Sequence, residues 1–164
     1  MKSTDADLYQ QLRHFLVGQS CVVGVGNRDR ADDGVGPYVV QLRDPRARGT
    51  WIDAGETPEN VLEQICNAKP SRVVFIDAVR HCNRLGDCLL IAPGDLDDVR
   101  LSTHAGSLGL LAEYLRVRSN AEMRVLGVQP ESLRFGERMS RQVQQSAKDL
   151  AAILSEILLN RVAE

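Results

Sequence analysis

The sequence predicts an α/β fold: a three-layer sandwich in which a mostly parallel five-stranded sheet carries helices on both faces. Strand-like apolar runs alternate along the chain with segments of helical periodicity, which is typical of a parallel sheet. The run at residues 20–25 is almost continuously apolar, as expected for a strand that is covered on both sides. With 164 residues, the chain has the length of one domain, so we expect residues 1–164 to form a single domain.

The N-terminal half contains three helices and two strands before the centre of the predicted sheet. The predicted elements are a helix at about 5–17, a strand at 20–25, a short helix at 34–43 and a strand at 51–53. The next helix is expected to begin with Thr57 as N-cap and Pro58 at the first helical position, and to end near Lys69. Apolar residues at helical spacing and the stop at Gly18 support the first helix.

The C-terminal half completes the sheet and adds two longer helices. The predicted elements are strands at 72–77 and 87–92, a helix at 105–118, a strand at 123–128 and an amphipathic helix at about 140–159. The link at 80–86 is too short for a crossover helix. We therefore expect 87–92 to return as an antiparallel neighbour.

Composition excludes several classes of function. The net charge is −2, from 20 basic and 22 acidic side chains, and aromatic residues make up only 4%. This balance argues against nucleic acid or an anionic membrane as a partner. No apolar run approaches a membrane span, and the N-terminus is too polar and acidic for a secretory signal. The four cysteines form no C-x-x-C pair, and Cys21 and Cys88 are expected to be buried. We expect a cytoplasmic protein that is monomeric.

Three acid or imidazole positions each follow a predicted strand or open a predicted helix. The pair Asp32-Asp33 lies after the first strand, Asp77 ends the third strand, and His104 precedes the helix at 105–118. Ligands of open parallel sheets bind beyond the carboxyl ends of the strands, so these segments meet at one place. Two carboxylates and an imidazole form a plausible site for a borderline metal ion.

Each of these residues also has a structural interpretation. Asp32 and Asp33 could cap the following helix, Asp77 could cap a loop, and a lone His104 is more often structural. The glycines of Gly24-Val25-Gly26 are compatible with a dinucleotide-binding loop, but the third glycine of that fingerprint is replaced by Asp29. Two further acids would face a pyrophosphate there, which disfavours the nucleotide.

No arrangement typical of a protein nucleophile is found. The sequence contains neither a G-x-S-x-G elbow nor an H-E-x-x-H motif, and His81 lies beside Cys82 without a matching pair of ligands. If the protein is a hydrolase, a metal ion must activate the carbonyl or the water.

The motifs, taken together, resemble those of the hydrogenase maturation endopeptidases. The matching segments, in the family's order, are Gly24-x-Gly26-Asn27, Asp32-Asp33-Gly34-x-Gly36, Asp53-x-Gly55, Pro58-Glu59-Asn60, Phe75-Ile76-Asp77-Ala78, Thr103-His104 and Leu126-Gly127-Val128-Gln129-Pro130-Glu131. They lie in register over a family-like core at about 20–160. The resemblance implies a twisted five-stranded α/β sandwich. The segment at 57–60 looks most like the branch that acts on hydrogenase-3-type or cofactor-linked enzymes.

The resemblance also implies an activity. Members of this family remove a C-terminal extension from the precursor of the [NiFe]-hydrogenase large subunit after nickel insertion. Asp33, Asp77 and His104 are the positions that match the family's nickel-recognising, catalytic residues. The nickel belongs to the substrate, so we expect no tightly bound metal in the free enzyme. Asp53 and Glu56 are further candidates for the cleft.

One segment departs from the family pattern, and two other functions remain open. The family has a hydrophobic residue and glycine before the acid pair, whereas this chain has Arg28-Asp29-Arg30-Ala31. The arginines could contact a different substrate or pair with Asp29. The alternatives are a nickel-dependent hydrogenase assembly chaperone without hydrolysis and a metallohydrolase acting on a small substrate. Release of a C-terminal peptide would exclude the former, and stoichiometric metal in the purified protein would favour the latter.

Overall fold

The computed structural model describes residues 3–81, 83–101 and 105–161. Within this part of the chain the strands are β1 (Ser20–Val25), β2 (Thr50–Gly55), β3 (Arg72–Arg80), β4 (Cys88–Ile91), β5 (Arg100–Leu101) and β6 (Glu122–Val128). The α-helices are α1 (Ser3–Phe15), α2 (Val35–Leu42), α3 (Leu62–Asn67), α4 (Ala105–Ser119) and α5 (Arg141–Leu159). The α/β order predicted from the sequence is confirmed.

The main sheet has five strands in the order β2-β1-β3-β6-β4. The first four are parallel, and β4 runs antiparallel to β6 at the edge. The two residues of β5 pair with the end of β3, where Val79 lies opposite Leu101. Parallel neighbours require crossover connections, which the helices supply.

Two apolar clusters lie on opposite faces of the sheet. On one face α1, α2 and α5 pack against side chains such as Val22, Val74 and Ile76. On the other face α3 and α4 pack against the alternate residues, among them Val73 and Phe75. Successive strand residues point to opposite faces, and in β3 both sets are apolar because both faces are covered.

Three details differ from the sequence prediction. The strand β4 is antiparallel, as expected, but its partner is β6, because β6 inserts between β3 and β4. The strand β3 does not end at Asp77 but continues to Arg80, where pairing with β5 extends it. The hydroxyl of Thr57 does not cap a helix; it accepts a hydrogen bond from Nδ2 of Asn60 at 3.1 Å, and a 3₁₀ turn at Pro58–Val61 precedes α3.

No helix in the described ranges is both long enough and apolar enough to cross a membrane.

Candidate active site

A 3₁₀ turn at Ala31–Gly34 follows β1 and carries the acid pair over the carboxyl edge of the sheet. The turn packs against β3. A Cβ atom on Gly26 would overlap the carbonyl oxygen of Asp33, and one on Gly36 would overlap the carbonyl oxygen of Ile76. The glycines therefore allow backbone to approach backbone, and this explains them without a bound phosphate. Ala31 adopts the left-handed conformation, with φ of 51°, which glycine adopts more readily.

Asp33 lies at the centre of this turn, with only 1% of its surface exposed. Its Oδ2 accepts a hydrogen bond of 2.8 Å from the backbone N–H of Asn27. Its Oδ1 is buried and accepts no hydrogen bond from any residue that the structure describes. A buried carboxylate oxygen without a donor is costly, and such an atom in a native protein is a candidate binding atom.

Asp32, its neighbour, is equally buried, but both of its carboxylate oxygens accept hydrogen bonds. Oδ1 accepts a hydrogen bond from the N–H of Ser140 at 2.7 Å, and Oδ2 accepts one from the N–H of Glu131 at 2.8 Å. The hydroxyl of Ser140 adds a third bond at 3.1 Å. The sequence allowed a structural role for Asp32 as a helix cap. Its carboxylate instead binds a loop that is distant in the chain, and the N-terminus of α2 has no side-chain cap.

Asp77 is fully buried within β3. The pairing of Gly24 with Ile76 places it level with Val25, at the end of β1, and it lies opposite Gly127 of β6. Its Oδ1 accepts a hydrogen bond of 2.8 Å from the N–H of Ala78. By strand alternation its side chain projects to the same face as Phe75, the face that α4 covers. Asp33 and Asp77 thus belong to one edge of the sheet.

The third predicted ligand, His104, lies outside the described residues. The nearest described residues are Leu101, which pairs with Val79 beyond Asp77, and Ala105, where α4 begins. Over the ranges that the structure describes, no group of three or more histidine, cysteine or acidic side chains is placed to hold a metal ion.

The second acidic segment, Asp53 to Glu56 at the carboxyl end of β2, is built differently. The side chain of Asp53 is 42% exposed and forms an ion pair of 3.1 Å with Arg28. Its Oδ1 accepts a hydrogen bond from the N–H of Gly55 at 3.0 Å. Glu56 is exposed. The structure does not bring these two acids into the buried turn with Asp33.

The arginines of the departing segment are used within the fold. Arg28 also donates to the side chain of Gln41 at 2.6 Å. Nε of Arg30 donates to the carbonyl oxygen of Leu133 at 3.2 Å. Pairing with Asp29, one of the two possibilities left open by the sequence, is not observed for either arginine. The carbonyl oxygen of Asp29 accepts a hydrogen bond from the N–H of Gly136.

The sequence predicts that Cys21 and Cys88 are buried, and it offers His81 no matching partner ligands. Burial raises the pKa of the Cys21 thiol to about 12 and that of the Cys88 thiol to about 12, so neither is a ready nucleophile. Cys21 is fully buried, whereas Cys88 is only half-buried. Nε2 of His81 lies 3.1 Å from the carbonyl oxygen of Asp87, within the link between β3 and β4.

The sequence analysis missed the loop at residues 131–140. This loop supplies every hydrogen-bond donor that the structure shows on the carboxylate of Asp32. The only signal for it was the motif ending at Glu131. Its donors are about a hundred residues away from Asp32 in the chain, so no local pattern could link them.

Comparison with known proteins identifies the class of protein. A family model described as HycI, hydrogenase maturation protease, matches residues 39–157. The hydrogenase 3 maturation protease of Escherichia coli is 29% identical over 127 residues, which cover 76% of this chain and 81% of that protein. The crystal structure of a [NiFe] hydrogenase maturation protease HycI from Thermococcus kodakarensis is 28% identical. It covers 92% of this chain and 99% of its own, with a TM-score of 0.78.

A solution structure of the endopeptidase HycI from Escherichia coli shares the fold, with a TM-score of 0.75 at 24% identity over 85% of this chain and 90% of its own. These matches define a peptidase built on a mixed, mostly parallel five-stranded α/β sheet. The chain belongs to the HycI family of hydrogenase maturation proteases, endopeptidases that process the precursor of a hydrogenase large subunit. The expected family resemblance, fold and enzyme class are therefore confirmed.

Proposed function

We propose that the protein removes the C-terminal extension of a [NiFe]-hydrogenase large-subunit precursor after nickel insertion, and that Asp33, Asp77 and His104 recognise the nickel that the precursor carries. The observation that supports this most directly is the buried Oδ1 of Asp33, which lacks a donor among the described residues. A cation brought by the substrate would compensate this carboxylate. The neighbouring carboxylate of Asp77 supports a shared binding edge.

The ligand set explains why the metal would arrive with the substrate. Two carboxylates and one imidazole leave coordination positions open, so they form an incomplete shell for nickel. Such a shell completes the coordination of a nickel ion that substrate thiolates already hold. Cleavage then becomes conditional on metal loading. Bound nickel would supply Lewis-acid activation of the carbonyl or of water, and the protein residues would fix its position.

The proposed enzyme is a cytoplasmic monomer whose partner is the precursor, with neither nucleic acid nor a membrane as a partner. Membership of a protease family favours hydrolysis over the chaperone alternative. A metallohydrolase acting on a small substrate would hold its metal stoichiometrically after purification, whereas the proposed enzyme holds little or none.

The test is the intact mass of every hydrogenase large subunit in cells with and without this gene, grown with ample nickel. We expect one subunit to keep its C-terminal extension in the deletion strain only. A copy of the gene carrying Asp33→Ala or Asp77→Ala should not restore processing, whereas the native gene should. Normal processing of all large subunits in a deletion strain that has no redundant protease would overturn the proposal.

A further inference from the structure

The loop at residues 131–140 is attached to the acid turn by partly buried hydrogen bonds. The carboxylate of Asp32 accepts hydrogen bonds from Glu131 and Ser140, and the N–H of Asp32 donates in return to the carbonyl oxygen of Ser132 at 3.1 Å. Because these donors leave water when the loop docks, the carboxylate that receives them is needed to keep the loop in place.

Further bonds fix the middle of the same loop. The N–H of Gly136 donates to the carbonyl oxygen of Asp29 at 2.8 Å, and Arg30 bonds Leu133. The loop has no helix or strand of its own, so its shape depends on these contacts with the 29–32 segment. That segment leads directly into Asp33.

This fixed loop displays a large aromatic side chain to solvent. Phe135 is 77% exposed, although a phenylalanine side chain is usually buried. It directly precedes Gly136, the residue bonded to Asp29. An exposed aromatic ring on a loop that is already ordered binds a partner with little further loss of conformational entropy.

We propose that Phe135 is a specificity-determining residue, which contacts an apolar side chain of the precursor beside the metal-bearing cleavage segment, and that Asp32 is the positioning residue that holds it there. The inference rests on the proposed function. It extends that function from the metal to the surface that selects the polypeptide. The N–H of Gly136 bonds the carbonyl oxygen of Asp29, so the loop that carries Phe135 is tied to the segment that leads into the turn of Asp33.

The primary test measures release of the C-terminal peptide from purified, nickel-loaded precursor by mass spectrometry, as initial rates over a range of precursor concentrations. Phe135→Ala is expected to raise KM about tenfold, as for an interface anchor, with kcat changed less than twofold. Its Tm should not change, because the ring is exposed. Val117, which is 71% exposed on α4, provides the matched control, and Val117→Ala should leave KM unchanged.

The role of Asp32 is tested by Asp32→Asn, which keeps the shape but replaces one acceptor oxygen by a donor. We expect a lower Tm and a raised KM. If both residues act through one loop, the KM increase in the double variant with Phe135→Ala is smaller than the product of the single increases. If Asp32→Asn does not fold, Ser140→Ala removes only the hydroxyl bond and is expected to raise KM about twofold.

The outcomes separate the two proposals. An unchanged KM for Phe135→Ala, or an equal rise for Val117→Ala, overturns the specificity role. Independent, multiplicative effects of Asp32→Asn and Phe135→Ala, or an unchanged KM for Ser140→Ala where Asp32→Asn does not fold, overturn the positioning role. No peptide release by the native enzyme would instead overturn the proposed function, and this inference with it.

Discussion

Acidic residues lie at the carboxyl ends of two neighbouring parallel strands, Asp33 in the turn after β1 and Asp53 where β2 runs into its own turn, but they differ in burial and in hydrogen bonding. After β1, Asp33 is buried and its Oδ1 has no donor among the described residues. Near the end of β2, Asp53 is 42% exposed on its side chain and is bound by Arg28 and by the N–H of Gly55. The exposed carboxylate of Asp53 has an ion pair and a hydrogen bond within the fold. The buried Oδ1 of Asp33 has no donor among the described residues, and this costs free energy. This contrast is the reason that the proposed function is assigned to the first turn.

The backbone is also packed more closely at the first turn than at the second. Directly after the first turn, Gly36 at the start of α2 lies so close to the sheet that a Cβ atom there would be 2.2 Å from the carbonyl oxygen of Ile76 in β3. Around Gly55, at the end of β2, a Cβ atom would meet nothing within 4 Å. The first turn is therefore held by backbone packing, which fixes a carboxylate in place before any ligand arrives.

The largest expected effect separates Asp33 from Asp53 in catalysis. Asp33→Asn removes the carboxylate charge but keeps an acceptor for the N–H of Asn27. We expect peptide release from nickel-loaded precursor to fall about 100- to 1000-fold, while Asp53→Asn changes it less than threefold. The free energy of unfolding of Asp33→Asn should stay equal or rise, because a buried charge is removed. Equal activity losses in the two variants would contradict the comparison.

The next prediction compares the free energies of unfolding of alanine variants at Gly36 and Gly55. Gly36→Ala forces a Cβ atom into backbone oxygen and nitrogen atoms that cannot move aside, so we expect a loss of about 3 kcal/mol or more in the free energy of unfolding. Gly55→Ala has open space, and its left-handed backbone, with φ of 54°, should cost only about 1 kcal/mol. Urea denaturation measures both. Similar losses would show that close packing does not distinguish the turns.

Sequence patterns located most of the elements, though not β5, and they did not show which strands pair. Continuous apolar strands and helical spacing located β1, β6 and α5 to within one residue of the observed ends. They could not show that β4 pairs with β6 rather than with β3, because strand order depends on contacts across the whole sheet.

The same limit applies to the acid pair. The sequence placed Asp32 and Asp33 at the correct edge, but only the family resemblance ranked Asp33 as the ligand. The distinction depends on which carboxylate receives the donors of Glu131 and Ser140, about a hundred residues further along the chain. Adjacent identical side chains carry no local signal that separates these roles.

A smaller effect is expected at Ala31, which enters the first turn with φ of 51°. Glycine adopts this conformation without the penalty of a Cβ atom, but it also gains more entropy on unfolding. We expect Ala31→Gly to raise the free energy of unfolding by about 0.5 kcal/mol, measured in urea, with unchanged activity. A clear loss of stability would show that the buried methyl group matters more than the backbone conformation.

The smallest effect concerns the ion pair that fixes the second turn. Arg28 and Asp53 are both close to half exposed, so solvent screens their attraction and the pair contributes about 0.5 kcal/mol or less. A double-mutant cycle with Arg28→Gln and Asp53→Asn should give a coupling of that size, which disappears as salt is raised towards 1 M. A coupling above about 2 kcal/mol that salt does not reduce would mean that the second turn is as rigidly built as the first, and the contrast between them would then rest on Asp33 alone.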